Sequence, residues 1–191
     1  MFELIKKYDL KRRYKGFTLV ELLVVSGMII ILTTFVLASY RMGEREFSLN
    51  RAVHQVSQDI RVAQEKTMSG MECQECGGGV PPGYGIYFRD TSPNNTSYIL
   101  YADENGDEIY TAGEEIETIE LEKGVVIIDI KMDSIDSNQI SINFRPPDPV
   151  IKIKRIQSDN GTETKITFAL ETDYSKTRTI TINKAGLIDI D

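Results

Sequence analysis

Asp103, Asn105 and Asp107 set hard oxygen donors at alternate positions of the stretch Asp103-Glu104-Asn105-Gly106-Asp107-Glu108-Ile109, and Glu114 follows at the twelfth place counted from Asp103. Carboxylates, a carboxamide, a main-chain carbonyl at Ile109 and a later bidentate Glu are what Ca²⁺ takes as ligands. The match to the helix-flanked calcium loop is partial. Glycine stands at the fourth place, Glu108 occupies the sixth, and the flanks read as strands. Two readings stay open, a looser calcium-binding loop and a solvated acidic turn.

Cys73 and Cys76 form a second candidate, a lone Cys-x-x-Cys that runs into Gly78 and Gly79. Zinc needs two further ligands, and besides carboxylates only His54 is on offer. A redox pair belongs at a helix start after a strand, which this glycine-rich context does not supply. A short disulfide or two plain thiols are what the pair leaves. His54 itself lies one step off an apolar helical stripe and reads as a boundary residue. No nucleophile, base and acid set appears, and no Gly-rich phosphate loop follows a strand, so catalysis is not expected.

The third candidate is Glu21, one carboxylate inside an apolar run from Phe17 to Tyr40. A helix over those residues reaches about 36 Å, enough to cross a bilayer's hydrocarbon core. A carboxylate there costs about 3 kcal/mol at the helix centre and less near an end, so it calls for a partner. Lys6, Lys7, Lys11, Arg12, Arg13 and Lys15 precede the run against Glu3 and Asp9 alone, which keeps the N-terminus in the cytoplasm and sends the rest outside. A secretory signal would carry its small residue after a shorter apolar core. Here Gly16 stands before a longer one, a geometry that fits cleavage on the cytoplasmic side with the helix retained. A cut between Gly16 and Phe17 creates an α-amine four positions before Glu21, able to neutralise it within one chain or between chains.

Lys15-Gly16-Phe17-Thr18-Leu19-Val20-Glu21-Leu22-Leu23 resembles the prepilin processing and N-methylation signal of type IV pilins and type II secretion pseudopilins. The resemblance implies that Gly16 ends a removed leader, Phe17 becomes the methylated terminus and Glu21 is the assembly carboxylate. It also implies a prepilin peptidase and N-methyltransferase, other pilin or pseudopilin subunits and an inner-membrane assembly platform as partners, beside the lipid bilayer. The order of elements is similar to that of minor pseudopilins, as is the closing stretch TRTITINKAGLIDI.

The elements that must position these residues follow from periodicity. Leu49, Val53, Val56, Ile60 and Ala63 recur at helical spacing with charged residues between them, and no proline interrupts residues 17 to 69. One continuous helix is predicted, with Gly27 and Gly43 as soft points. Residues 70–83 have the glycine and proline density of a loop. Strands are predicted at 84–89, 97–102, 116–121, 125–130, 139–144, 150–156, 164–170 and 178–183.

The expected organisation is a leader at 1–16, a transmembrane and assembly helix at 17–40, its amphipathic continuation at 41–69, the loop at 70–83 and an antiparallel β domain at 84–191. The fold class is α+β, the long helix packed on the sheet. The net charge of −7 deepens once the leader is removed, leaving 16 basic and 27 acidic residues, so the main domain repels nucleic acid. A structural subunit of a pilus or secretion filament is the expected function. A filament-tip adhesin or receptor is the alternative, for which Tyr84, Tyr87, Tyr98 and Tyr101 would have to form an exposed aromatic patch, and a tethered enzyme comes last.

Overall fold

Helix formation starts where the sequence supplies a cap. Thr18 precedes α1 (Leu19–Met68), and Glu21 lies in its first turn. The computed structural model describes residues 16–74, 76, 78–147, 151–155 and 160–191, so the basic residues of the leader lie outside the described residues. The helix is unbroken at Gly27 and at Gly43.

The chain forms two compact units, the first ending at Met42 and the second running from Gly43 to Asp191. In the first, Leu19–Leu37 is a 19-residue apolar segment with mean hydropathy 2.5 and none of its residues buried. At 1.5 Å per residue it spans about 28 Å, close to a hydrocarbon core. Ser26, Thr33 and Thr34 turn their hydroxyls back onto the carbonyls of Leu23, Ile29 and Ile30, which hides polar atoms from an apolar surround.

In the second unit the helix buries Leu49, Ala52, Val53, Val56, Ile60 and Ala63, the stripe that the spacing predicts. This stripe packs in one core with the inner faces of two antiparallel five-stranded sheets. The strands are β1 (Gly83–Arg89), β2 (Ser97–Asp103), β3 (Glu115–Glu120), β4 (Val125–Met132), β5 (Ile135–Asp136), β6 (Gln139–Phe144), β7 (Lys152–Lys154), β8 (Glu163–Leu170), β9 (Asp173–Asn183) and β10 (Ile188–Ile190). The sheet orders are β3-β2-β1-β6-β7 and β10-β9-β8-β4-β5. The chain passes between them three times, after β3, β5 and β7, so each sheet is built from two separate stretches of sequence. The edge strand β3 keeps Glu115, Glu117 and Glu120 exposed, which blunts it against pairing with another chain.

Polar contacts fix the helix to the sheets. The Tyr98 hydroxyl donates to Asp59, and Thr67 Oγ1 accepts from the Tyr84 amide at 3.2 Å while donating to Ala63 O at 2.9 Å. Arg51 pairs with Glu122 at 3.0 Å and Lys176 with Glu46 at 2.7 Å. On the outer face of the first sheet Tyr101 lies flat across Gly85, where a Cβ would come within 2.5 Å of its ring; only glycine leaves that space.

Candidate functional site

Glu21 has a partner at hand before any cleavage. Its carboxylate Oε2 accepts from the Thr18 amide and the Thr18 hydroxyl, each at 3.0 Å, and Thr18 Oγ1 accepts from the Glu21 amide at 3.2 Å. This is a reciprocal capping box, and it joins the processing stretch to the start of the helix. Sequence reasoning missed Thr18; the Thr-x-x-Glu spacing ahead of an apolar run was the signal that could have found it. Gly16 and Phe17 precede the helix and are exposed, with nothing within 4 Å of a Cβ built on Gly16.

Cys73 and Cys76 are joined as a disulfide with Cα atoms 5.3 Å apart. Cys73 is buried against Tyr84 and Ala102, and Glu104 of the acidic loop helps to line a small cleft of about 180 Å³ beside the disulfide. The glycine- and proline-rich connection after α1 is thus tied down next to the acidic loop. His54 is exposed on the free face of the helix.

The acidic stretch is solvated in part: Glu104, Asn105 and Asp107 are exposed, whereas two of its carboxylates are not. Asp103 is fully buried and Glu114 nearly so. Asp103 accepts from the amides of Gly106 at 2.8 Å and Glu108 at 3.1 Å, and from Asn143 Nδ2 at 3.2 Å. Glu114 accepts from the amides of Thr111 at 2.8 Å and Glu104 at 3.3 Å. Asn105 Oδ1 and Asp107 Oδ1 each accept from the amide two residues on, at 2.8 Å. Glu108, at the sixth place, takes the left-handed conformation with φ 67°, which glycine usually supplies at that place of a calcium loop. Lys154 closes the loop onto the sheet, bonding Glu108 at 2.7 Å and the Asp107 carbonyl at 3.0 Å.

Tyr110, at the loop's far end, packs its ring 4.7 Å from Tyr87 and 5.6 Å from Tyr101, so the loop roofs the outer face of the first sheet. Tyr84, Tyr87, Tyr98 and Tyr101 are all buried and form no exposed patch. Among the described residues no three His, Cys, Asp or Glu side chains converge as a metal-holding group. Burial pushes the Asp103 carboxyl above the usual carboxylate range against the pull of its amide donors, and the Asp107 charge adds to the rise. Glu114 is raised by burial and by the charge of Asp103.

A helix long and apolar enough to cross a membrane, with none of the residues of its apolar segment buried, is headed by a Gly-Phe junction and a first-turn Glu and followed by a β-rich unit, the order of parts of a pilin-like subunit. Residues 11–37 match the family model of the prokaryotic N-terminal methylation motif, the signature of type IV pilins and pseudopilins. Searches of curated proteins and of solved structures found no match.

The raised carboxyls make a signed prediction. Asp103 and Glu114 bind protons more tightly in the folded than in the unfolded chain, so their contribution to stability is present below the ordinary carboxylate pKa and lost as pH rises through the raised folded values. Asp103→Asn cannot titrate, and it leaves one loop amide without an acceptor. Urea unfolding in a chelator, from about pH 4 to 7, should show the wild-type advantage over Asp103→Asn shrinking as pH rises. An advantage that grows with pH contradicts the assignment.

Proposed function

We propose that the chain is a minor pilin or pseudopilin, made as a membrane precursor, cut after Gly16 by a prepilin peptidase, methylated at Phe17 and assembled through its apolar helix into a type IV pilus or a type II secretion-like filament. The observation that carries this reading is the Gly16-Phe17-Thr18-x-x-Glu21 junction at the head of a 19-residue apolar helix with no buried residue. The basic leader supports a cytoplasmic N-terminus, and the disulfide supports an extracytoplasmic C-terminal unit, since disulfides persist in oxidising compartments. The partners of this reading are the peptidase and methyltransferase, neighbouring subunits and an inner-membrane assembly platform.

In this mechanism the subunit waits in lipid and then exchanges lipid contacts for the apolar helices of its neighbours. Glu21 is the polar exception. Thr18 holds it at the helix start, and after cleavage the Phe17 amine of the same or a neighbouring chain neutralises it. Two variants separate the charge from the cap: Glu21→Ala removes both, whereas Glu21→Gln keeps a side chain that suits a capping box. Incorporation into filaments, followed by co-purification with the other subunits, should fall at least tenfold for both if the charge drives assembly at a cost of about 1.4 kcal/mol or more. Normal incorporation of Glu21→Gln assigns Glu21 to capping alone.

For the loop we propose Ca²⁺ as the ligand, held by Asp103, Asn105, Asp107, the Ile109 carbonyl and Glu114. The successive side-chain-capped turns and the left-handed Glu108 are what favour it. Binding requires the carboxylates to reorient, because among the described residues no three of them converge. Calorimetric titration should give a Ca²⁺ heat at or below about millimolar concentration that disappears in Asp103→Ala plus Asp107→Ala. No heat, or unchanged affinity in that variant, contradicts it.

A further inference from the structure

Ten aromatic side chains lie between Gly43 and Asp191, and eight are buried or half-buried. The other two, Phe47 at 66% and Tyr174 at 61% exposure, stand at the same end of the unit. Their proximity follows from a ladder between β9 and the helix. Arg178 Nε donates to Asn50 at 3.0 Å and Lys176 Nζ to Glu46 at 2.7 Å. Two residues of strand, about 6.6 Å, keep step with four residues of helix, about 6 Å. Tyr174 is the next rung, toward the helical turn at Gly43. Arg45 reaches the β8–β9 turn at Thr172, at 3.4 Å.

That end is also where the chain arrives from the apolar segment. From Leu37, the last residue of the span, to Gly43 is about 9 Å along a helix and at most about 20 Å fully extended, whatever the angle between the units. The polar layer on each side of a bilayer core is about 5–7 Å thick, and it is where Tyr and other aromatic side chains concentrate. Arg45, Lys176 and Arg178 are offset by Glu44, Glu46, Glu171 and Asp173, so this surface has no net attraction for anionic lipid.

We propose that the end of the C-terminal unit formed by the first helical turns after Gly43 and the β8–β9 hairpin docks on the bilayer surface, with Phe47 and Tyr174 set in the headgroup layer. This contact continues the bilayer contact of the span, and it rests on the membrane-anchored reading above. It is an interfacial contact driven by aromatic burial, independent of lipid charge, and it holds the domain against the membrane before assembly pulls the subunit out.

The chain has no tryptophan, so single-tryptophan reporters are unambiguous. The full chain is reconstituted into phosphatidylcholine vesicles bearing nitroxides on the headgroup or deep in the acyl chain, using Tyr174→Trp, Phe47→Trp, Leu23→Trp in the span, and Val80→Trp as an exposed control in the loop after α1. Headgroup nitroxides should quench Tyr174→Trp and Phe47→Trp at least about twofold more than Val80→Trp, at an extent unchanged when anionic lipid is added. Deep nitroxides should quench Leu23→Trp. Quenching of Leu23→Trp without excess quenching at 174 and 47 overturns the docking alone. Emission at 174 that shifts with protein-to-lipid ratio but is not lipid-quenched also overturns it, in favour of a second copy as occupant. Absence of quenching at 23 overturns the membrane reading, and the proposal with it.

Discussion

A nineteen-residue apolar segment, none of whose residues is buried, sets the terms for everything else. That surface calls for cover, which the proposed function supplies as lipid and then like helices, because an apolar patch of that extent is not left in water. A helix is the form in which such a segment can enter lipid, since it satisfies its backbone internally. The head of the helix is the exception, as its first amides have no partners within it, and Thr18 and Glu21 answer that need with side chains of their own. Glu21 therefore has a structural reason to stand where it does, alongside the electrostatic role proposed for it. Both act at the same helix end, and the cut after Gly16 would place a positive amine there.

The second unit solves a different problem. Its helix is amphipathic, and the stripe of Leu49, Val53, Val56, Ile60 and Ala63 was legible from spacing alone because burial on one face imposes that spacing. Most strands were legible for the same reason, their bounds shifting by a residue or two. The split into two sheets was not, since alternation reports which residues face inward but not which strand pairs with which. β5 and β10 are too short to show a period. β9 begins at Asp173, five residues before the predicted start, because Asp173-Tyr174-Ser175-Lys176-Thr177 has no buried residue to alternate; polar rungs to the helix hold it extended instead. For the predicted strand 150–156 the structure gives Lys152–Lys154, and both predicted ends fall outside the described residues.

In the acidic loop composition does not tell which carboxylates are exposed and which are drawn inside. Glu104, Asn105 and Asp107 stay exposed, while the structure buries Asp103 and Glu114 and satisfies both with main-chain amides. Such carboxylates organise a loop the way a capping residue organises a helix end, at the cost of desolvation that raises their proton affinity. Tyr110 then covers Tyr87 and Tyr101, which alternation alone would have left facing water. Neither Tyr110's reach nor the Lys154 contact that closes the loop has a local sequence signature, because both join residues far apart in the chain.

Where the mature polypeptide begins decides whether the chain is processed as a pilin-like precursor. Intact-mass and fragmentation analysis of protein taken from its native membranes should find Phe17 as the first residue, carrying a methyl group on its amine, with the apolar helix still attached. A chain that keeps its leader, or one that starts beyond Leu37 with the helix removed, would contradict it.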